Sequence, residues 1–413
     1  MITPAYALTA TERVLPRLAL DWTTGLAQPG VDVTRAGVAT FVGSNGLIQS
    51  ASVNTQRLDW TTSTSGLLVE EARTNNCISS SEIGSGAWSF LPNYTVQLNN
   101  GVSPDGTTNA SNIYPLTSGS PRWTFRAYSY TASQAHTLSV FAKSNAKRWL
   151  CIYNPSGAGP GAAWFDLVDG VVGSVAAGFT STITSLGNGY YRCTVTYTAP
   201  ASGTQYFAMS DVNADLSLTT TASGTSGILV YGAQVELGAF ATSYIPTDTT
   251  AVTRNADVAT MTGTNFSDWY NPTEGTFDVS FSATGLASYS GAFWVSDAAK
   301  TSSRGFSCGV NATTNFGFLR GADGALKSLT LGAYVANTTE SIVLSYTASN
   351  FYGSANASAV SSASITAFPT SETLNIGFQS TAGGSTYLNG RIKKLNFYAL
   401  KVTSAEMQAF SKG

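Results

Sequence analysis

The sequence predicts an all-β protein built from antiparallel β-sandwiches, and three observations support this. Short segments alternate apolar and polar residues, as half-buried strands do. Clusters of Gly, Asn, Asp and Ser separate these segments at short intervals, as turns between antiparallel strands do. Convincing long helical patterns are absent. With 413 residues the chain exceeds the size of one core, so two or three domains are expected.

The clearest predicted strand is Tyr191–Thr198, where apolar and polar residues alternate without a break. Its alternation places Tyr191, Cys193, Val195 and Tyr197 on one face. The same pattern occurs in three further segments: Thr276–Ser282, Ile342–Tyr346 and Leu374–Phe378.

One short helix is predicted near the C-terminus. Thr403 and Glu406 have the spacing of a capping box, in which each side chain accepts a hydrogen bond from the backbone of the other residue. Met407 and Phe410 then form the apolar face of a single helical turn.

A short internal repeat indicates where domains begin. VDVTRAGVATF at Val31–Phe41 recurs as AVTRNADVATM at Ala251–Met261, and we interpret the two copies as linker or edge elements at two domain entrances. The alternative is chance similarity. The predicted division is an irregular N-terminal arm over residues 1–75, one sandwich over residues 76–250 and a second over residues 251–413.

The composition excludes several classes of function. Only 11% of residues are charged, less than half the usual share, and the net charge is −2. Nothing therefore attracts nucleic acid. No window approaches the ~18 uninterrupted apolar residues of a membrane span, and the N-terminus lacks the pattern of a signal peptide.

The cysteines predict neither zinc binding nor redox chemistry. No two of the four are close in sequence, whereas a structural zinc site needs closely spaced ligand pairs. Cys193 is expected to be a buried free thiol. A disulfide between Cys151 and Cys193 is the alternative, although a chain without a leader has no oxidising compartment in which to form it.

The sequence offers few groups for catalysis, and no enzyme is expected. The only adjacent acids, Glu70 and Glu71, would face opposite sides of an extended segment; we expect a solvated acid and a partner for Arg73 or a backbone amide. The single histidine, His136, is predicted at the surface, without the nucleophile and acid of a triad.

No cofactor is predicted. The run Asp211-Val212-Asn213-Ala214-Asp215 begins like a calcium loop, but Leu216 and Ala222 occupy the positions where an EF-hand needs Gly and Glu. A structural calcium ion in a sandwich loop is left as an alternative.

The best candidate for ligand binding is the predicted strand over residues 122–130. Trp123, Phe125 and Ala127 are assigned to its core side. Its other side is expected to be exposed and to carry four candidate ligand-binding residues: Arg122, Arg126, Tyr128 and Tyr130. Aromatic rings cover apolar sugar faces and guanidinium groups donate to hydroxyls. The alternative is a subunit interface or a face covered by the N-terminal arm. Trp164 is a second candidate.

Several strings resemble bacteriophage fibre and head-spike proteins. LALDWTTG at Leu18–Gly25 and GLLVEEARTN at Gly66–Asn75 are similar to the lead-in of such proteins. TLSVFAKS, GNGYYRCTVTYT and LVYGAQVELGAFATSYIPT continue the match and also resemble jelly-roll carbohydrate-binding modules. The last ~150 residues, from EGTFDVSFS onward, resemble concanavalin A-like (laminin G-like) sandwiches.

This resemblance implies a structural protein of the virion surface, assembled in the host cytoplasm. Such a fibre, spike or decoration protein would form a homotrimer or other oligomer, attach to other virion proteins through its N-terminal arm and bind host-surface glycans. Two alternatives are a tail-spike depolymerase that cleaves a capsular or lipopolysaccharide glycan, and a capsid cement protein without a ligand.

Overall fold

The computed structural model describes residues 15–119, 122–154, 161–284, 290–297, 304–311, 313–321, 324–366, 368–381 and 384–412. Within them the chain forms two compact units. The described residues of the first lie within the ranges 15–36, 54–71 and 256–412, and those of the second lie within 37–53 and 72–255. Both consist of antiparallel sheets, which confirms the predicted all-β sandwich class. No helix in these ranges is long and apolar enough to cross a membrane.

The first unit contains two large sheets. One has seven strands in the spatial order Asp32–Thr34, Val258–Thr262, Thr373–Ile376, Ser290–Ser296, Gly305–Asn311, Thr314–Arg320 and Leu326–Ala333. The other has eight; Leu18–Asp21 pairs with Gly390–Tyr398 beside the main path. That path runs Ser361–Ser364, Asn350–Ala355, Glu340–Tyr346, Gly275–Ala283, Gly390–Tyr398, Gly66–Val69 and Leu58–Asp59. A hairpin pairs Phe378–Thr381 with Gly384–Tyr387.

Alternate residues of these two sheets meet in one hydrophobic core. Phe277, Val279 and Phe281 of the eight-stranded sheet lie in the same buried cluster as Phe293 and Val295 of the seven-stranded sheet. The rings of Phe277 and Phe293 stack with centroids 4.7 Å apart. The period-2 pattern read from Thr276–Ser282 therefore corresponds to a real inward face.

The second unit is a sandwich of two six-stranded sheets. The first, in spatial order, consists of Phe179–Gly187, Tyr190–Thr198, Ala135–Asn145, Gly227–Leu237, Ala110–Pro115 and Tyr94–Gly101. The second consists of Val171–Val175, Gly161–Asp166, Trp149–Asn154, Gly203–Val212, Thr124–Tyr130 and Ser89–Phe90. Two small ribbons pair Val252–Arg254 with Arg73–Asn75 and Ala39–Val42 with Ile48–Ala51.

The core of the second unit lies between its two sheets. Leu138 and Val140 from one sheet share a buried cluster with Ile152, Phe165 and Phe207 from the other. The strand Tyr190–Thr198 matches its prediction, since Cys193, Val195 and Tyr197 all point into this cluster. All four cysteines are free and buried, as expected for Cys193, and no bond joins it to Cys151.

The first 75 residues differ from the expected irregular arm. Residues 1–14 lie outside the described part of the chain, but the remainder is divided between the two units. Leu18 and Leu20 lie in the core of the first unit, where their strand pairs with Gly390–Tyr398. Burial of these side chains explains why the segment is ordered. The strand Leu18–Asp21 joins a sheet whose other strands come mainly from the C-terminal part of the chain.

Each copy of the internal repeat contains one of the four points at which the chain passes between the two units. The first copy contains the crossing between Ala36 and Gly37, and the second contains the crossing between Asn255 and Ala256. Asp32–Thr34, from the first copy, also pairs antiparallel with Val258–Thr262, which begins in the second. Two distant segments of sequence thus become neighbouring strands of one sheet.

Two local predictions have different outcomes. The C-terminal helix spans Ser404–Phe410 and begins with the complete capping box of Thr403 and Glu406. The predicted strand Leu374–Phe378 is interrupted, because Gly377 adopts a φ of 74°, a left-handed conformation that ends the extended run. Thr373–Ile376 remains in the large sheet, and Phe378 starts the hairpin.

A buried ionic cluster lies inside the first unit. Arg35 donates to Asp257 over 2.8 Å, and Arg57 forms ion pairs with Asp257 and, over 2.8 Å, with Glu70. Burial opposes the charge of Arg57, but its two carboxylate partners outweigh that effect and raise its pKa. Glu70 is therefore a buried acid paired with Arg57, whereas the sequence predicted a solvated acid or a partner for Arg73 or a backbone amide. The backbone nitrogen of Glu71 donates to the side chain of Asn389, which in turn donates to the Glu71 carboxylate.

Candidate ligand-binding face

The strand Thr124–Tyr130 presents the opposite side to solvent from the one predicted. Tyr128 and Tyr130 are only 8% and 3% exposed and belong to the core of the second unit. Trp123, Phe125 and Ala127, which were assigned to the core, are partly exposed. The prediction that Tyr128 and Tyr130 lie on the exposed face is therefore wrong. Alternation identifies which residues share a face, but not which face meets the other sheet.

The two tyrosines take part in an aromatic cluster inside the sandwich. The ring of Tyr130 lies 4.2 Å from that of Tyr128, 4.4 Å from that of His136 and 5.2 Å from that of Tyr197. Burial, together with the neighbouring Tyr197, raises the pKa of Tyr130. These side chains stabilise the core.

His136 is likewise inside the structure rather than at its surface. Its side chain is buried, and Nε2 lies 3.2 Å from the backbone nitrogen of Thr131, which donates to it. Burial lowers the pKa of His136, although the contact with Thr131 partly opposes that shift.

The two arginines of the strand do not join the exposed aromatic residues. Arg126 shares the inward side with Tyr128, and its Nη1 donates to the carbonyl of Ala87 over 2.8 Å. Arg122 is partly buried, and its Nη2 lies 3.5 Å from Oγ1 of Thr117. The predicted cluster of Arg122, Arg126, Tyr128 and Tyr130 is therefore not assembled on one exposed surface.

The outward side of the same sheet carries Trp149, which packs beside Val212, and four further partly exposed aromatic side chains from three neighbouring strands, which we call the aromatic face: Trp123, Phe125, Tyr153 and Tyr206. The strand Gly203–Val212 lies in the middle. Ala208 pairs with Phe125 on one side and with Tyr153 on the other. Because none of the four rings belongs to the core cluster, they point away from the interior.

The four rings form two contacting pairs. Trp123 and Tyr153 lie 5.0 Å apart in a tilted arrangement, and Phe125 and Tyr206 lie 5.5 Å apart edge to face. Both geometries are favourable for aromatic pairs. Ala208 is small and fully buried beneath them, which lets rings from the flanking strands approach across the central strand.

Trp164 lies on the outward side of the same sheet but is not accessible. It is 8% exposed, and its Nε1 donates to the carbonyl of Ser217 over 2.8 Å. Cys151, Ala162 and Val212 surround it in a small buried cluster. Its role in this structure is to anchor the loop that contains Ser217.

One charged group flanks the aromatic face on the strand Gly161–Asp166. Asp166 accepts hydrogen bonds from Arg148 and from the backbone nitrogen of Val168. Burial alone would raise the pKa of Asp166, but these hydrogen bonds outweigh it and lower the pKa. Arg148 also pairs with Asp169, so its charge is shared between two carboxylates.

The acids of the suspected calcium loop are used in separate hydrogen bonds. Asp211 points inward, where it accepts from the hydroxyl of Tyr94 over 3.1 Å. Asp215 accepts from the backbone nitrogen and the hydroxyl of Ser174. Over the described ranges, no group of three or more His, Cys, Asp or Glu side chains is arranged to hold a metal ion.

Comparisons with known proteins return structural neighbours only. No protein-family model matches the chain, and no curated protein matches it. The neighbours include the CBM40 of the Ruminococcus gnavus IT-sialidase bound to alpha2,3 sialyllactose, with 17% identity, a TM-score of 0.30 and coverage of 34% of this chain and 84% of that one.

Two other neighbours are similarly distant. A mutant of the NanB sialidase from Streptococcus pneumoniae has 15% identity and a TM-score of 0.31 over 36% of this chain and 26% of its own. The receptor binding domain of botulinum neurotoxin D has 10% identity and a TM-score of 0.30 over 38% and 41%. TM-scores this low do not transfer a function to this chain, and none of these neighbours is a phage protein.

Sequence reasoning missed Tyr153 and Tyr206. Neither of their strands alternates regularly between apolar and polar residues, and the sequence of one strand does not reveal which aromatic residues on other strands share its face. Only the pairing of Thr124–Tyr130 and Trp149–Asn154 with Gly203–Val212 brings them beside Trp123 and Phe125.

Proposed function

We propose that this chain is a non-catalytic glycan-binding protein and that the aromatic face is its binding site. The observation that carries the proposal is the set of partly exposed rings of Trp123, Phe125, Tyr153 and Tyr206 on the outward side of one sheet. Aromatic rings offer flat apolar surfaces that match the apolar faces of sugar rings. A rigid sheet also presents such rings with little loss of conformational freedom on binding.

The surroundings of the rings support a polar ligand rather than a lipid. Ser129 lies at the exposed end of the strand Thr124–Tyr130, and Thr204 is exposed opposite it. Ser89 pairs with Phe125 at the other edge. Hydroxyl groups around an apolar centre provide hydrogen bonds that orient a sugar.

Binding without catalysis is supported by the state of the nearby acid. Glycoside hydrolysis needs two carboxyl groups on either side of the scissile bond. Among the described strands that carry the aromatic face and flank it, Asp166 is engaged by Arg148, and Asp211 points into the core. A tail-spike depolymerase is therefore the less favoured alternative.

We further propose that the protein belongs to the surface of a phage virion. The support is the resemblance of LALDWTTG, GLLVEEARTN and the strings that follow to phage fibre and head-spike proteins. In such a particle many copies would act together, so weak binding by each site would give strong attachment. A homotrimer and attachment to other virion proteins are part of this proposal. A cement protein without a ligand is the alternative.

The test of glycan binding uses the full chain on a glycan array, followed by calorimetry with the best ligand. Trp123→Ala and Tyr153→Ala should each weaken binding, while Tyr114→Ala should not, because Tyr114 is a partly exposed tyrosine on the other sheet of the same unit. Folded protein that binds no glycan would contradict the proposal. New reducing ends after incubation with host polysaccharide would support the depolymerase instead.

Measuring the mass of the protein in solution tests whether the aromatic face is instead a subunit interface. If Trp123→Ala dissociates an oligomer and leaves glycan binding intact, the face is a subunit contact and the proposed site is wrong. The virion role is tested separately by electron microscopy of intact particles labelled with an antibody to this chain. Unlabelled particles would contradict it.

A further inference from the structure

We infer that the ligand of the aromatic face is an uncharged oligosaccharide, bound by ring contacts and neutral hydrogen bonds without an ion pair. This inference rests on the proposed function and deepens it by naming the class of glycan. It follows from the charges around the four rings and from their arrangement along the strands.

The centre of the face is electrically neutral. Between and beside the rings, the outward positions are occupied by Ala127, Cys151, Ala162, Ala208 and Ser210. Residues 120–121 and 155–160 adjoin these strands in sequence; they lie outside the described residues, but their sequences, SP and PSGAGP, contain no charged residue. The outward positions that adjoin the rings on these strands therefore carry no formal charge.

Three of the cations near these strands in sequence are already engaged. Arg126 faces inward and donates to the carbonyl of Ala87. Arg148 is paired with both Asp166 and Asp169, a group whose formal charge is negative. Lys147 donates to the carbonyl of Thr221 over 2.6 Å.

An acidic sugar would find poor conditions at such a site. Recognition of a carboxylate is strongest when a guanidinium or ammonium group donates to it directly. The flanking group of Arg148, Asp166 and Asp169 would repel rather than attract a carboxylate. Arg122 lies next to Trp123 in sequence, and its guanidinium group contacts Thr117. Substituting Arg122 therefore tests whether a cation beside the rings contributes to binding.

The arrangement of the rings favours several linked sugars over one. Trp123 and Phe125 are successive outward residues, so their two aromatic pairs lie about 7 Å apart along the strand. An oligosaccharide that follows the strand direction can contact both pairs at once, whereas a monosaccharide engages mainly one. The contribution of the second pair should then appear only with the longer ligand.

The experiment compares matched glycans on the full chain by calorimetry: neutral gluco- and galacto-oligosaccharides, their monosaccharides, and the same chains carrying sialic or uronic acid. We expect binding of a neutral oligosaccharide whose affinity is unchanged between low and high NaCl concentration. Trp123→Ala should weaken it about tenfold or more. Phe125→Ala should weaken the oligosaccharide more than the monosaccharide, and Arg122→Gln should leave the affinity unchanged.

Other results would be decisive in different ways. Binding that requires the acidic sugar, weakens with NaCl and is lost in Arg122→Gln would overturn this inference while leaving the proposed glycan-binding function in place. Equal affinity for monosaccharide and oligosaccharide would overturn its length requirement. Failure of folded protein to bind any glycan would overturn the proposed function and, with it, this inference.

Discussion

The indole ring of Trp123 packs against the phenol ring of Tyr153 across an intervening strand, with 5.0 Å between their centroids. Tyr153 pairs with Ala208 of that strand, whose small side chain leaves room for the contact. Two residues 30 positions apart in sequence thus form one surface element. Its rigidity depends on both rings, because each restricts the orientation of the other.

We expect the two rings to act together in binding. Trp123→Ala should remove the support that orients Tyr153, so the second substitution should cost less affinity in its absence. The coupling energy in a double-mutant cycle should be about 1 kcal/mol. Calorimetry on the two single variants and the double variant measures it. Strictly additive losses would show that each ring contacts the ligand independently.

The two sides of the strand Thr124–Tyr130 should differ in their importance for stability. Tyr130→Ala opens a cavity in the core and should lower the free energy of unfolding of the second unit by about 3–5 kcal/mol. Phe125→Ala, on the partly exposed side, should cost about 1 kcal/mol or less. Urea denaturation of both variants tests the assignment. The reverse order of costs would mean that the faces are exchanged.

The ionic cluster of the first unit should be sensitive to loss of one partner. Arg57→Leu removes a buried cation that pairs with both Glu70 and Asp257, so it should destabilise the unit by about 3–5 kcal/mol. The double variant Arg57→Leu with Glu70→Leu keeps the pair of Arg35 and Asp257. It should be less destabilised than the single variant, as measured by denaturation midpoints. A more severe effect in the double variant would show that packing, rather than charge balance, dominates.

Stability should fall when the pH drops below the ordinary pKa of histidine, in part because of His136. Its pKa is lowered by burial, so below about pH 6.5 the unfolded chain binds a proton that the folded chain does not. His136→Gln should remove this contribution. Urea midpoints at about pH 7.5 and about pH 5.5 test it. The raised pKa values of Asp211 and Asp278 favour folding as the pH falls over the same range. The test is therefore the difference in urea midpoint between His136→Gln and the wild type at each pH.

Asp211 should destabilise the second unit at neutral pH. Burial raises its pKa to about 6, although Lys147 and Tyr94 partly oppose that shift. Above that pH the folded state must hold a desolvated carboxylate. Between that pH and the ordinary pKa of aspartate, the folded state keeps a proton that the unfolded state has released, so folding becomes more favourable as the pH falls. Asp211→Asn should therefore stabilise the unit at pH 8 by on the order of 1–3 kcal/mol, and the gain should shrink towards pH 4. A gain independent of pH would show that ionisation is not its cause.

Much of the local structure could be read from the sequence. The alternation in Tyr191–Thr198 identified a strand and its buried side, and Thr403 with Glu406 identified the start of the last helix. Both signals involve residues a few positions apart, where backbone geometry alone decides which side chains are neighbours. The alternating pattern did not predict the break at Gly377, because glycine tolerates a positive φ without requiring one.

The candidate site could be predicted only in part. The strand that carries it was recognised by its aromatic residues, but the wrong side was chosen for ligand binding. Tyr128 and Tyr130 are as polar at their tips as exposed tyrosines would be, yet they fill the core beside Tyr197. Amphipathic aromatic residues suit both environments, so their identity does not decide between them.

The sequence by itself determined that this chain forms antiparallel strands and that few of its residues are charged. The tertiary structure alone decided which side of Thr124–Tyr130 faces solvent, which strands place Tyr153 and Tyr206 beside it, and that Leu18–Asp21 completes a sheet with the end of the chain. The physical reason is that a twofold period is symmetric between the two faces of a strand. Only packing against a second sheet, from residues distant in sequence, makes one of those faces the interior.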